Sequence, residues 1–273
     1  MPLNLIAKVA SGLALALGAA GVMAQATAPD SAALPQSLPP VVWDVSAAHS
    51  QLTNGLPDGE SLSVRASFAL PEGSSLNAEL VQERKFGTQG GVVALAYTGT
   101  FAPDWFATGT LVAGHGGPNW ANARADMQVS AKWLEQRQWV TSGALYHAVF
   151  DGSRSDSGVR LASTWYLELP AVLEAGITFN ISQPGRVHSH MPYASATWGR
   201  EGQQYLSLRA SRGTEAYQAL GLQTQLVNFR SRSVAATWRQ WIGPQWGFTA
   251  QAEQYRNPTY QRRTLGVGLF AQW

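Results

Sequence analysis

Few side chains in this sequence are of types that do chemistry. The tightest constellation is His188-Ser189-His190, beside Gln183-Pro184-Gly185. On an extended strand, residues two apart point the same way. His188 and His190 could therefore hold part of a metal site, with His115 or His147 as a third ligand, or could equally be two imidazoles in water. A hydrolytic serine needs a histidine base and a third group to orient it. Ser189 fails that test by spacing, because adjacent strand residues face apart. Asp151 and Asp156 follow His147 without any motif around them. Gly114-His115-Gly116-Gly117-Pro118 lacks the lysine and hydroxyl of a phosphate loop. The chain has no cysteine, which excludes thiolate metal sites and disulfides. The expectation is of no catalytic residue, no metal and no cofactor.

A second constellation is made of charges at alternate positions in otherwise apolar stretches: Arg65, Glu79, Arg124, Asp126, Lys132, Arg160, Glu168, Glu174, Arg209, Arg239, Glu253 and Arg262. Charged residues make up only 13% of the 273-residue chain, against 45% hydrophobic, where a soluble domain carries about 25% charge. With a formal net charge of +2 and no Lys/Arg block, nucleic acid is not an expected partner.

The elements that must position these charges are strands. From Asn122 to Trp133, Ala123, Ala125, Met127, Val129, Ala131 and Trp133 fall on one face, and Arg124, Asp126 and Lys132 on the other. A helix would scatter those charges around its circumference, whereas a strand separates them. The same alternation runs through Leu62–Leu70, Val159–Leu169 and Leu173–Ile181. Short connections at 71–74, 102–104, 135–137, 169–171, 199–202 and 242–245 interleave with longer ones at 53–59, 87–91, 114–121, 151–158, 183–191, 212–221 and 256–260. That series predicts about fourteen strands (twelve is the alternative count) of roughly 10–12 residues, the length that crosses a bilayer at a tilt.

Alternation alone also suits a soluble β-sandwich. Trp43, Trp105, Trp133, Trp139, Trp198, Trp241, Trp246 and Trp273, eight of the eleven tryptophans, gather beside the short connections. Indole favours the headgroup level of a membrane, and a soluble core has no reason to sort tryptophan by turn length. The fold expected is therefore all-β: a closed antiparallel transmembrane barrel over residues 41–273. Residues 1–24, with Lys8 ahead of an apolar stretch and Val22 and Ala24 as small residues, read as a cleaved signal peptide. Residues 25–40, with Pro29, Pro35, Pro39 and Pro40, read as a Pro-rich periplasmic leader.

Leu265, Val267, Leu269, Ala271 and Trp273 alternate up to a final aromatic. This is similar to the terminal strand of bacterial outer-membrane barrels, a resemblance that implies recognition by the barrel-assembly machinery through Leu265, Val267, Leu269 and Trp273. The run Trp238-Arg239-Gln240-Trp241-Ile242-Gly243-Pro244-Gln245-Trp246, then Tyr255-Arg256-Asn257-Pro258-Thr259-Tyr260-Gln261-Arg262, resembles the YaiO-type outer-membrane β-barrel family. Members often carry helical repeats ahead of the barrel, where only the Pro-rich leader is expected here. The resemblance implies an association with envelope polysaccharide and supplies no catalytic residues.

Lipid on the apolar side turns the polar side inward, since Arg or Lys facing the bilayer midplane costs about 2–4 kcal/mol. The expected luminal set is the twelve charges above. They either neutralise one another as ion pairs or screen a permeating solute. Arg230 and Arg232 share the lipid-facing parity and are expected above the bilayer, near lipid phosphate. The expected role is a narrow pore or an accessory of envelope polysaccharide export, with outer-membrane lipid, a polysaccharide or a small solute as partners. A lipid- or polysaccharide-cleaving barrel enzyme working through the outer histidines is the alternative.

Overall fold

A strand crossing hydrocarbon must satisfy every amide and carbonyl on its neighbours, and this chain does so by closure. The computed structural model describes residues 41–221 and 224–273. The proposed signal peptide and leader lie outside the described residues. Fourteen strands follow in order: β1 (Val41–Leu52), β2 (Gly59–Ala69), β3 (Ser75–Lys85), β4 (Thr88–Ala102), β5 (Trp105–His115), β6 (Ala123–Trp133), β7 (Trp139–Val149), β8 (Ser155–Tyr166), β9 (Ala171–Gln183), β10 (Val187–Arg200), β11 (Gln204–Ala219), β12 (Gln225–Trp241), β13 (Trp246–Arg256) and β14 (Gln261–Gln272). Each pairs antiparallel with the next, and β1 pairs with β14 from Val42 opposite Gln272 to Leu52 opposite Arg262, which closes the barrel.

The two faces sort as the alternation requires. Met127, Val129, Leu161 and Phe179 are exposed on the outer surface, 38–54% accessible, while Arg124, Arg160 and Thr178 beside them on the same strands are buried inside. A sandwich would have pressed those four apolar side chains together. The tightest turn, Phe86-Gly87 between β3 and β4, has positive φ at both residues (52° and 75°), the two-residue hairpin that matches strand twist.

Tryptophans ring one rim. Trp105, Trp133, Trp139 and Trp165 are cross-strand neighbours whose rings lie 6.2–6.4 Å apart in succession. Trp43, Trp198, Trp238, Trp246 and Trp273 are exposed near the same end. Two expectations are corrected here. Trp241 belongs to the lumen, not the belt: it shares the parity of Arg239, is 5% accessible and packs edge-on against Phe270. The far-rim connections are shorter than expected, reduced to 184–186 and 220–224 for two that were read as 183–191 and 212–221. Polar and glycine residues beyond the apolar band still belong to the ladder, so composition misreads them as loop.

Val267 sits near mid-height on β14 and is 69% accessible. Val267→Arg should lower the unfolding free energy in phospholipid vesicles by about 2–4 kcal/mol, measured by denaturant titration. Thr264→Ser, on the luminal face, should change it little.

Candidate functional site

The interior is a charge-balanced network. Asp44 on β1 receives Arg239 from β12 at 2.5 Å, across the two intervening strands. Asp44 is also the cross-strand partner of Arg65, which bonds Glu79 at 3.0 Å, and Ser63 Oγ donates to the same carboxylate at 3.0 Å. Arg239, Asp44, Arg65 and Glu79 thus alternate in sign around one arc. On the opposite arc Arg124 grips Asp126 with two bonds of 2.6 and 2.8 Å. Arg160 donates to Gln128 at 3.0 Å, and Arg209 lies 3.9 Å from Glu174. Higher up, Arg262 meets Glu253 at 3.3 Å and Lys85 meets Glu83 at 3.7 Å. Most of these pairs are nearly inaccessible, with side chains of Arg65 and Glu79 at 4% and 6%, while Arg209 and Glu174 keep 12% and 17%. At such burial, removing one partner costs far more than the pair contributes.

Aromatic rings seat the guanidinium groups, and glycines seat the rings. A Cβ at Gly158 would fall 2.5 Å from the Tyr146 ring, and one at Gly176 2.7 Å from Tyr193. Each ring covers the glycine opposite it on a neighbouring strand. Arg124 then stacks 4.3 Å from the Tyr146 centroid and Arg209 3.7 Å from Tyr193. Arg239 repeats the arrangement 3.5 Å from Phe270, whose ring covers Gly247. Stacking of this kind adds about 0.5–2 kcal/mol each.

The mouth opposite the tryptophan rim carries two apolar clusters. Phe86, Tyr255 and Tyr260 pack together with Leu52, Leu56 and Leu220, and Trp120, Ala121, Ala148 and Phe150 pack with Val92. Lys85 lies between them, its ammonium 5.9 Å from the Trp120 ring. Glu215 accepts from Tyr255 Oη at 2.9 Å just below.

Of the residues expected in the lumen, Arg65, Glu79, Arg124, Asp126, Lys132, Arg160, Glu174, Arg209, Arg239, Glu253 and Arg262 face inward. Lys132 sits over the Phe106 ring at 5.6 Å. Glu168 is corrected: β8 ends at Tyr166, so Glu168 lies exposed in the turn to β9 and does not line the interior. Asp44, Glu83, Lys85, Asp156 and Glu215 are luminal and were missed. For Asp44 the alternation with Ser46 was signal enough. Glu215 was hidden because 212–221 read as a loop. Leu265, Val267, Leu269 and Trp273 all face outward.

All five histidines are exposed near the far rim. His147 Nδ1 lies 2.8 Å from Ser157 Oγ, His190 Nδ1 lies 3.3 Å from Thr214 Oγ1, and His49 is 3.7 Å from Asp58. Among the described residues no three histidines or carboxylates converge as a metal site, and no carboxylate bonds His147.

Arg239→Met should strand Asp44 in the interior and cost about 3–5 kcal/mol of stability. Adding Asp44→Asn should recover more than half of that loss. A double-mutant cycle by denaturant unfolding measures both.

The family model described as YaiO membrane beta barrel domain matches residues 43–218, a range that ends before the motif run at 238–262. A search of curated proteins returned no match. Among solved structures the chain is similar to a bacterial polysaccharide outer membrane secretin (TM-score 0.53, 8% identity, 85% of this chain and 98% of that one). It is also similar to the anion-selective porin from Comamonas acidovorans (0.50, 7%, 85% and 98%) and to the Acinetobacter baumannii outer membrane protein Omp33 (0.50, 10%, 85% and 97%). At such identities these likenesses show the fold alone. The fourteen-strand closed wall, its tryptophan rim and the matched range together place this chain in the YaiO membrane beta barrel family of the outer membrane.

Proposed function

We propose that the protein is a non-enzymatic outer-membrane barrel with an occluded lumen, acting as an accessory of envelope polysaccharide export or assembly and not as an open diffusion pore. The observation that supports it is the crowding of the interior face: buried ion pairs bridge strands of the wall, and two apolar clusters pack at one mouth. Barrels of eight strands are filled by side chains and those of sixteen to eighteen leave an aqueous channel; fourteen strands here carry the large side chains that favour the filled outcome. The polysaccharide part of the reading draws on the family resemblance. The reading also takes residues 1–24 as the cleaved export signal.

A lipid hydrolase is the second reading, and the His147–Ser157 contact is the observation in its favour. Against it, the imidazole lacks an orienting carboxylate, and the amides around Ser157 are engaged in the ladder to β7 and β9, leaving no donors for an oxyanion.

In planar bilayers the refolded protein should show unit conductance about tenfold or more below that of a sixteen-stranded porin. Phe86→Ser with Tyr260→Ser, which opens the cluster over Lys85, should raise it. Large steady channels in the unmodified protein would overturn the occluded lumen. Ser157→Ala should leave lipid composition unchanged by mass spectrometry, and an accumulated ester substrate would favour the hydrolase.

A further inference from the structure

The outer surface of β11–β14 carries arginines that no carboxylate among the described residues neutralises. Arg212 lies directly opposite Arg232, and Arg232 directly opposite Arg256, so three guanidinium groups occupy one cross-strand row over about 10 Å of wall. Arg230 stands two residues above on β12, and Arg263 opposite Gln254 on β14. All five are exposed. From Val187 to Trp273 the acidic residues are Glu201, Glu215 and Glu253. Glu201 is in the turn at the tryptophan rim, and the other two face the lumen. Like charges directly opposite on a sheet are destabilising, so this row calls for an anion from outside the chain.

Its height identifies where that anion is. Arg256 is ten residues from Trp246 along β13, and Arg263 ten from Trp273. Ten residues span about 34 Å of strand, or about 25 Å of height at the usual tilt, the thickness of the apolar band. The tryptophans mark one headgroup level and the arginines reach the other. With the longest connection, 116–122, at the arginine end, that level belongs to the outer leaflet. Beside the row on the same outer face is a groove of about 460 Å³, lined by Leu145, Val159, Phe179 and Ile181 and rimmed by His188 and His190. His190 bonds Thr214, the cross-strand partner of Arg230, so groove and arginines are continuous.

We propose that this face is a binding site for a phosphorylated glycolipid of the outer leaflet, with an acyl chain in the groove and phosphate on Arg212, Arg232 and Arg256. Guanidinium and phosphate form paired, charge-assisted hydrogen bonds, and the neighbouring Arg230 and Arg263 extend the site to a second phosphate. The site does not depend on whether the lumen conducts.

The full-length protein in phosphatidylcholine nanodiscs is titrated with bis-phosphorylated lipid A and with the same lipid stripped of both phosphates, and bound lipid per barrel is counted by native mass spectrometry. The expected result is a preference of about tenfold or more for the phosphorylated form. In R212Q/R232Q/R256Q it should fall to near unity, whereas R84Q, which removes an outward arginine that already faces Glu60 at 4.0 Å, should keep it. Equal retention of both lipids by the unmodified protein overturns the proposal, as does full preference in the triple variant. The comparison of the two lipids on the unmodified protein needs no variant to fold.

Discussion

Hydrocarbon offers no partner to a backbone amide or carbonyl, so the hydrogen-bonded seam between β1 and β14 is the contact on which everything else in this structure depends. An open fourteen-strand sheet would present two edges to lipid, and no side-chain arrangement could compensate for them. Once the seam is made, each side chain has two destinations, and the period of two decides between them. The apolar set faces outward without a core of the usual kind; among the described residues, buried apolar side chains gather in small groups, two of them at the far mouth and Trp241 with Phe270 at the tryptophan end.

Closure also makes the interior a confined space in which charges must find each other. Inward-facing arginines and carboxylates alternate across strands that are distant in sequence, as in the reach of Arg239 over Phe270 to Asp44. The glycine–aromatic–arginine stacks at Gly158, Gly176 and Gly247 show how the wall sets these groups up. A glycine leaves room for a ring to sit over it, and the ring supplies a surface that holds the guanidinium group. A lumen built this way resists being emptied, because deleting any one member leaves a buried partner unpaired. The outer face follows the opposite logic: its arginines at the far headgroup level stand together, with no carboxylate partner among the described residues, where a membrane can supply the counter-charge.

Much of this was legible in the residues. Alternation in 122–133 and 173–181 is unambiguous because charged and apolar positions never trade places there, so strand, face and membrane follow together. The count of fourteen strands follows from turn punctuation. Where the reading failed, the cause is the rim. Near the ends of strands the bilayer no longer imposes alternation, so the pattern carries Glu168 past the end of β8 and hides Glu215 in what reads as loop but is ladder. The neighbourhood of Trp241 suggests the belt, whereas its parity with Arg239 points inward. Pairings such as Asp44 with Arg239 depend on which strands meet at the seam and across the lumen, which local pattern does not encode.

The central claim is that neighbouring residues on each strand look alternately at lipid and at an enclosed interior. The cysteine-free chain allows a direct measurement: single cysteines along β6 and β14, each carrying a small fluorophore, read against lipids bearing a quencher in the acyl chain. Quenching should be strong at 125, 127, 265 and 267, weak at 126, 128, 264 and 266, and repeat with a period of two. Uniform protection at 127 and 267, or quenching with no alternation, would contradict the account.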